Sequence, residues 1–209
     1  MKRKPGRPTD TDSATTRQTL IDTARDCFGR NGYDRTSNTE IVELAELTTG
    51  PLYHHFASKA GLFGAVSNDA IDKVLSGLEK ALGDSPPIDP LERLRLVLGV
   101  MADMYTEDES IAYFNATWPL EIERNPELLT HINKDKLKKI QELFPFVLKG
   151  TSNTVEGLDN RIVDLTTVLY FGITYCVLLE NLSKPKEDNL SKPKEVMDTI
   201  MSALDGTLL

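Results

Sequence analysis

The chain has 209 residues, of which 40% are apolar and 27% charged, and its formal net charge is −8. That length supports one large domain, or a small domain joined to a medium one, and the acidic balance excludes a protein coated in basic surface. Residues 1–61 nevertheless hold nine Lys and Arg against eight Asp and Glu, while the rest hold fifteen against twenty-four, so contact with a polyanion falls to the N-terminal end.

In chain order, Met1 to Asp12 forms a polar arm with no apolar periodicity, carrying Lys2, Arg3, Lys4 and Arg7. A first helix is predicted from about Ser13 to Arg30, with Leu20, Ile21, Ala24 and Phe28 inward and Gly32 ending it. Ser37 and Glu40 form an S-x-x-E capping box that opens a second helix, whose apolar face is Ile41, Leu44 and Ala45. Glu46 and Leu47 make a tight turn, and Thr48 caps a third helix through its hydroxyl. Pro51 is tolerated in the first turn of that helix, where its missing N–H has no intrahelical acceptor. There Leu52 and Phe56 point inward, and Thr49, Gly50, Tyr53 and His54 share the opposite side. Hydroxyls, rings and a bare glycine suit a DNA groove better than open water.

A long helix follows from Ser58 to Leu82, closed by Gly83 and the breakers Pro86-Pro87. Asp89-Pro90-Leu91-Glu92 starts the next, which carries Leu91, Leu94, Val97, Leu98, Met101 and Met104. Asp108 to Trp118 reads as a short aromatic helix, and Asn125-Pro126 opens another to about Leu148. Two more are predicted over Asp159–Leu182 and Glu195–Leu204. Strand patterning is absent, so the expected fold class is all-α with about nine helices, three in a small head and six in a larger body. The expected division is a flexible basic arm over residues 1–12, a helix-turn-helix head over 13–60 and a body over 61–209. LSKPKE occurs at Leu182–Glu187 and again at Leu190–Glu195, which reads as a local duplication lengthening a surface loop rather than a solenoid.

From about Thr16 to Phe63 the chain resembles the DNA-binding domain of the TetR (tetracycline repressor) family of bacterial regulators. The resemblance rests on Arg17, Ala24, Phe28, Gly32, Tyr33, Thr36, Ile41, Ala45, Leu47, Thr48 and Gly50, and on the run L-Y-H-H-F-x-S-K from Leu52 to Lys59, followed by Leu62. It covers the first third of the chain and says little about a ligand. Two positions depart from the family pattern. Glu46 stands where a glycine is usual in the turn, and Gly61 stands where a helix-favouring acidic residue is usual, weakening that helix start by roughly 1 kcal/mol.

By position, the resemblance implies that Thr49, Gly50 and His54 face base edges. It also implies that Tyr53, His55 and Lys59 contact phosphate, with Thr36, Thr39 and Thr48 adding hydroxyls. In the arm, Lys4-Pro5-Gly6-Arg7-Pro8 resembles the Gly-Arg-Pro core of AT-hook arms, whose Arg enters a narrow minor groove; a solvated tail is the other reading. His54 and His55 point roughly 100° apart on a helix and cannot comfortably share an ion, so no metal or cofactor is expected. Catalytic motifs are absent, and no enzyme is expected.

In the body, Met101, Met104, Tyr105, Tyr113, Phe114 and Trp118, with Tyr170, Phe171 and Tyr175, form a candidate effector pocket, with plain core packing as the other reading, and Glu121 or Glu123 is a candidate counter-charge for a cationic ligand. Cys27 and Cys176 are isolated and read as packing groups in a reducing cytosol. The uncharged run Leu165–Leu179 falls short of the ~20 residues that span a membrane. No signal peptide opens the chain, so a cytoplasmic place is expected. Together these features, with the resemblance, point to a dimeric transcriptional regulator: a repressor that holds a palindromic duplex operator, pairs through its last two helices and is released by a small effector of unknown class. The rival is a helical small-molecule-binding protein or enzyme with a vestigial head.

Overall fold

The computed structural model describes residues 10–83, 89–148 and 202, and every regular element among them is helical. Helix α1 spans Asp10–Asn31, α2 Asn38–Leu44, α3 Thr49–Phe56, α4 Lys59–Leu82, α5 Pro90–Glu107 and α6 Glu109–Arg124. A 3-10 turn, Pro126–His131, leads to α7, Lys134–Leu148. Of the two last predicted helices only Ser202 is described, and it is helical. Arg7, Tyr170, Phe171, Tyr175 and the LSKPKE repeat lie outside the described residues. No described helix is long and apolar enough to cross a membrane.

Two apolar clusters organise the described residues. The first joins Leu20, Ile21, Ala24, Cys27 and Phe28 of α1 to Ile41 and Val42 of α2, Leu52 and Phe56 of α3, and Leu62, Phe63, Val66 and Ala70 of α4. Phe114 of α6 and Leu128 of the 3-10 turn complete it. The core of the head therefore continues past residue 60 and is closed by body residues. One long and two short helices cannot bury enough surface by themselves, and each fully buried Leu, Ile or Phe is worth about 1.5–3 kcal/mol. The second cluster, Val74, Leu78, Val97, Leu98, Met101, Ala102, Tyr105, Ile111 and Ala112, binds α4 to α5 and α6. Cys27 is buried within the first, and its thiol is pushed up to about 11, chiefly by burial with Glu40 and Asp26 adding. It stays protonated and inert at neutral pH.

Four expectations about these elements need correction. Helix α1 begins at Asp10, inside the segment expected to be a free arm. Leu44 is 64% exposed, and Val42 takes the inward place predicted for it. Helix α6 does not stop at Trp118 but runs through Pro119 to Arg124. The predicted helix from Asn125 to Leu148 is broken at Ile132-Asn133, where the Asn133 side chain accepts from the amides of Asp135 and Lys136 and so caps α7 afresh.

The head is seated on the body by close approaches of small residues. A Cβ on Gly29 of α1 would stand 2.7 Å from the Phe114 amide nitrogen of α6, and one on Gly64 of α4 would overlap the His131 carbonyl. Rings bridge the same seam: Phe63 lies 5.4 Å from both Phe28 and Phe114, centroid to centroid.

Candidate nucleic-acid interface

The second and third helices are held at a fixed angle by hydrogen bonds that the sequence spells out in part. The capping box forms: the Glu40 amide donates to Ser37 Oγ at 3.0 Å, and the Ser37 amide to Glu40 Oε2 at 3.3 Å. At the far end of α2, the Glu46 amide donates to the Glu43 carbonyl and the Leu47 amide to the Val42 carbonyl, the paired bonds of a Schellman motif. That motif places the residue after the C-cap in the left-handed region, and Glu46 has φ +55°. The glycine missing from the turn is thus replaced by a glutamate forced into glycine's conformation, at a cost of roughly 1–2 kcal/mol. Glu46→Gly is expected to raise the unfolding free energy by about 1 kcal/mol, read in urea denaturation. An unchanged or lower stability would show that the Glu46 side chain compensates.

The third helix buries Leu52 and Phe56 and turns the rest of its surface outward. Thr48, Thr49, Gly50, Tyr53 and His54 are exposed, as is Thr39 on α2, while His55 is half-buried. Thr48 occupies the N-cap position in an extended conformation but makes no side-chain cap bond, contrary to expectation, so its hydroxyl faces solvent. The His55 imidazole is held below its ordinary 6.5, first by desolvation and then by His54 and Arg17, so at neutral pH it is an uncharged ring. A Cβ on Gly50 would meet nothing within 4 Å. Gly50→Ala should therefore stabilise the free protein by up to about 1 kcal/mol through helix propensity, yet weaken duplex binding. Calorimetric melting and duplex titration on the one variant separate the two effects. Unweakened binding would remove the argument for close backbone approach.

Two predicted phosphate ligands are placed otherwise. Thr36 is buried, and its hydroxyl faces the carbonyls of Gly32 at 2.8 Å and Cys27 at 3.2 Å. It closes the end of α1 and has no path to a phosphate, which corrects the expectation. Lys59 Nζ donates to the carbonyls of Tyr33 (2.9 Å) and Thr36 (3.0 Å) and sits 4.3 Å from the Tyr33 ring centroid. Two of its three hydrogens thus tie α4 to the α1–α2 loop, and only the third remains for a phosphate.

The junction between α3 and α4 explains Gly61. Ala57 turns the chain at φ +60°, ψ −35°, and the Ser58 amide reaches back to the Phe56 carbonyl at 2.6 Å. A Cβ at Gly61 would overlap that same carbonyl oxygen. The residue that weakens the helix start on propensity grounds is the one that lets α4 begin so close to the end of α3.

Behind the interface lies a feature that the sequence does not announce. Arg25 of α1 is 1% exposed. Its guanidinium donates to Ser110 Oγ (2.9 Å), Asp69 of α4 (2.8 Å), Asp22 (2.6 Å) and Asp108, the N-cap of α6 (2.6 Å). Lys73 lies 3.2 Å from Asp69, and Gln18 donates to both Asp22 and Asp69. A shallow groove of about 360 Å³ opens beside this hub, lined by Asp22, Thr23, Arg25, Asp26, Arg30, Asp108, Glu109 and Ser110. One signal was available: Arg25 follows Ile21 by four residues, on the inward side of α1.

The described members of the candidate effector pocket are divided between the two clusters. Phe114 and Trp118 pack in the first, where the indole N–H donates to Ser67 Oγ at 3.1 Å. Met101 and Tyr105 are buried in the second, with Met104 and Tyr113 against it. Tyr113 also carries the Arg30 guanidinium 4.1 Å over its ring. Glu121 is buried beside Gly32 and 3.5 Å from Arg124, at the α1–α6 seam rather than among those rings.

Comparison with known proteins follows this division. Residues 20–66 match the family model described as bacterial regulatory proteins, tetR family. The chain is 34% identical over 92 residues to the HTH-type transcriptional regulator TtgR of Pseudomonas putida, covering 44% of this chain and 43% of that one. It therefore spans less than half the length of the first curated relatives it matches. Similarity to the HTH-type transcriptional regulator UidR of Escherichia coli (strain K12) is lower, 26%, but runs over 174 residues, 81% of this chain and 83% of that. The fold is similar to that of the fatty acid degradation regulator FadR from Bacillus halodurans, with a TM-score of 0.66 over 96% of this chain and 97% of the other at 15% identity.

Proposed function

We propose that this chain, whose residues 20–66 match the model of the tetR family of bacterial regulatory proteins, is a DNA-binding transcriptional regulator of that family acting as a homodimer on a palindromic operator. The observation that carries this reading is the outer side of α3. Its inner residues are locked into the core, and Thr48, Thr49, Gly50, Tyr53 and His54 are presented together. Such a helix places base-reading and phosphate-holding groups in a major groove, and its rigid seat fixes their register. A single head binds weakly; two heads related by a two-fold axis reach successive turns of the duplex, about 34 Å apart. Pairing through the last two helices, repression, a cytoplasmic place and release by a small effector held in the body belong to the same proposal. The effector acts by favouring a spacing of heads that no longer fits the operator, a coupling typically of ~1–3 kcal/mol.

Selection from random duplexes with the full-length protein tests the reading. The expected product is a palindrome with half-sites one helical turn apart, bound with an affinity that falls steeply with salt as counterions are released. A folded protein that shows no salt-sensitive duplex binding would leave the small-molecule-binding reading in its place.

A further inference from the structure

We infer that Asn38 is a positioning residue for duplex binding, setting the Tyr53 hydroxyl as a donor to a phosphate. The inference rests on the proposed function and concerns a residue outside the groups that the sequence pattern singles out. Asn38 is the first residue of α2, directly after the Ser37 cap. Its Nδ2 donates to Tyr53 Oη at 3.3 Å, across the gap between α2 and α3. Tyr53 is 53% exposed and makes no other hydrogen bond among the described residues. A tyrosine hydroxyl has one hydrogen and two lone pairs, and a phosphate oxygen can only accept. Filling a lone pair from Asn38 holds the ring in place and leaves the hydrogen pointing to whatever lies outside. That polarity fits a phosphate.

The second observation is the other end of the same amide. Asn38 Oδ1 is buried with no hydrogen-bond partner among the described residues. A buried acceptor without a donor opposes folding, and asparagine is a poorer helix residue than alanine. The Ser37 side chain already caps the helix, so Asn38 is not needed for that. Stability alone would favour a different residue here, which directs attention to what the Nδ2 end does.

The test is a double-mutant cycle on the full-length protein with an operator recovered by selection, read as duplex affinity and thermal midpoint together. Asn38→Ala is expected to weaken binding roughly three- to ten-fold, as the loss of one oriented hydrogen bond does, with a thermal midpoint equal to or above that of the parent. In a Tyr53→Phe background the same change should have no further effect on affinity. Asn38→Asp should weaken binding more than Asn38→Ala. An ionised carboxylate takes the hydroxyl's hydrogen and adds negative charge near the phosphate, although an acid in the first turn favours the helix itself. Equal losses of affinity from Asn38→Ala with and without the Tyr53 hydroxyl would overturn the inference. So would parental affinity of Asn38→Ala or Tyr53→Phe alone. Absence of salt-sensitive duplex binding by the parent protein would instead defeat the proposed function, so the two failures are distinguishable.

Discussion

Arg25→Met is expected to lower the unfolding free energy by roughly 3–5 kcal/mol, the usual consequence of removing one partner from a buried ion-pair network. The guanidinium is 1% exposed and serves Asp22, Asp69, Asp108 and Ser110 at once. Methionine fills similar volume, so the loss is electrostatic rather than a cavity. Of the cations at the three carboxylates only Lys73 would remain, 3.2–3.9 Å from them. Arg25→Lys should rescue only part of the deficit, because an ammonium is a point charge and cannot fork between three helices. The deficit should also depend on pH. Burial raises the Asp108 pKa, but hydrogen bonds from Ser110 and the Arg25 guanidinium, with the charges of Arg25 and Lys73, more than offset this and hold it below the usual carboxylate range. A depressed carboxylate contributes stability that is complete above its unfolded value near ~4 and is lost as pH falls through the folded value. Parent and variant should therefore converge in acid. Urea denaturation at neutral pH and at about pH 3 measures both statements, and a neutral-pH difference under about 1 kcal/mol would mean the hub is solvated rather than structural.

The hub also shows where the sequence was legible and where it was not. Local signals came through: Ser37 and Glu40 cap α2, Gly32 ends α1 at φ +83°, and Leu52 and Phe56 face the core. Each depends on residues within one turn of each other, which a sequence displays directly. Arg25 needs Asp69 and Ser110, 44 and 85 residues away, and no periodicity reports that pairing. Thr36 fails for a different reason: its partners Gly32 and Cys27 are only four and nine residues away, but the resemblance that assigned it a phosphate carries position and not burial. A hydroxyl at the edge of a helix reads as a phosphate ligand until the carbonyls of Gly32 and Cys27 are found beside it. Helix α6 runs past its expected end at Trp118 and through Pro119, because its packing against α1 outweighs one missing hydrogen bond. The exposed side of α3 was readable because it belongs to a single short helix, with its inner and outer sides separated by spacing alone.

That surface carries the second large effect. Thr49→Ala combined with His54→Ala is expected to weaken operator binding by roughly 2–6 kcal/mol in each half-site, since two bases are left unread there at ~1–3 kcal/mol each. Both side chains are exposed on α3 and neither appears in either apolar cluster, so the fold should be unaffected. Affinity for non-specific duplex should hardly move, because phosphate contacts supply that term. Tyr53→Phe makes the opposite case. It removes a hydroxyl directed at the backbone, so operator and non-specific affinities should fall by similar factors. The informative quantity is therefore the ratio of the two affinities at one salt concentration, not either alone. The ratio should collapse for the Thr49, His54 double variant and stay near that of the parent for Tyr53→Phe. Reversal of that order would mean that Tyr53 reads bases and that the outer side of α3 meets the groove rotated from the orientation proposed.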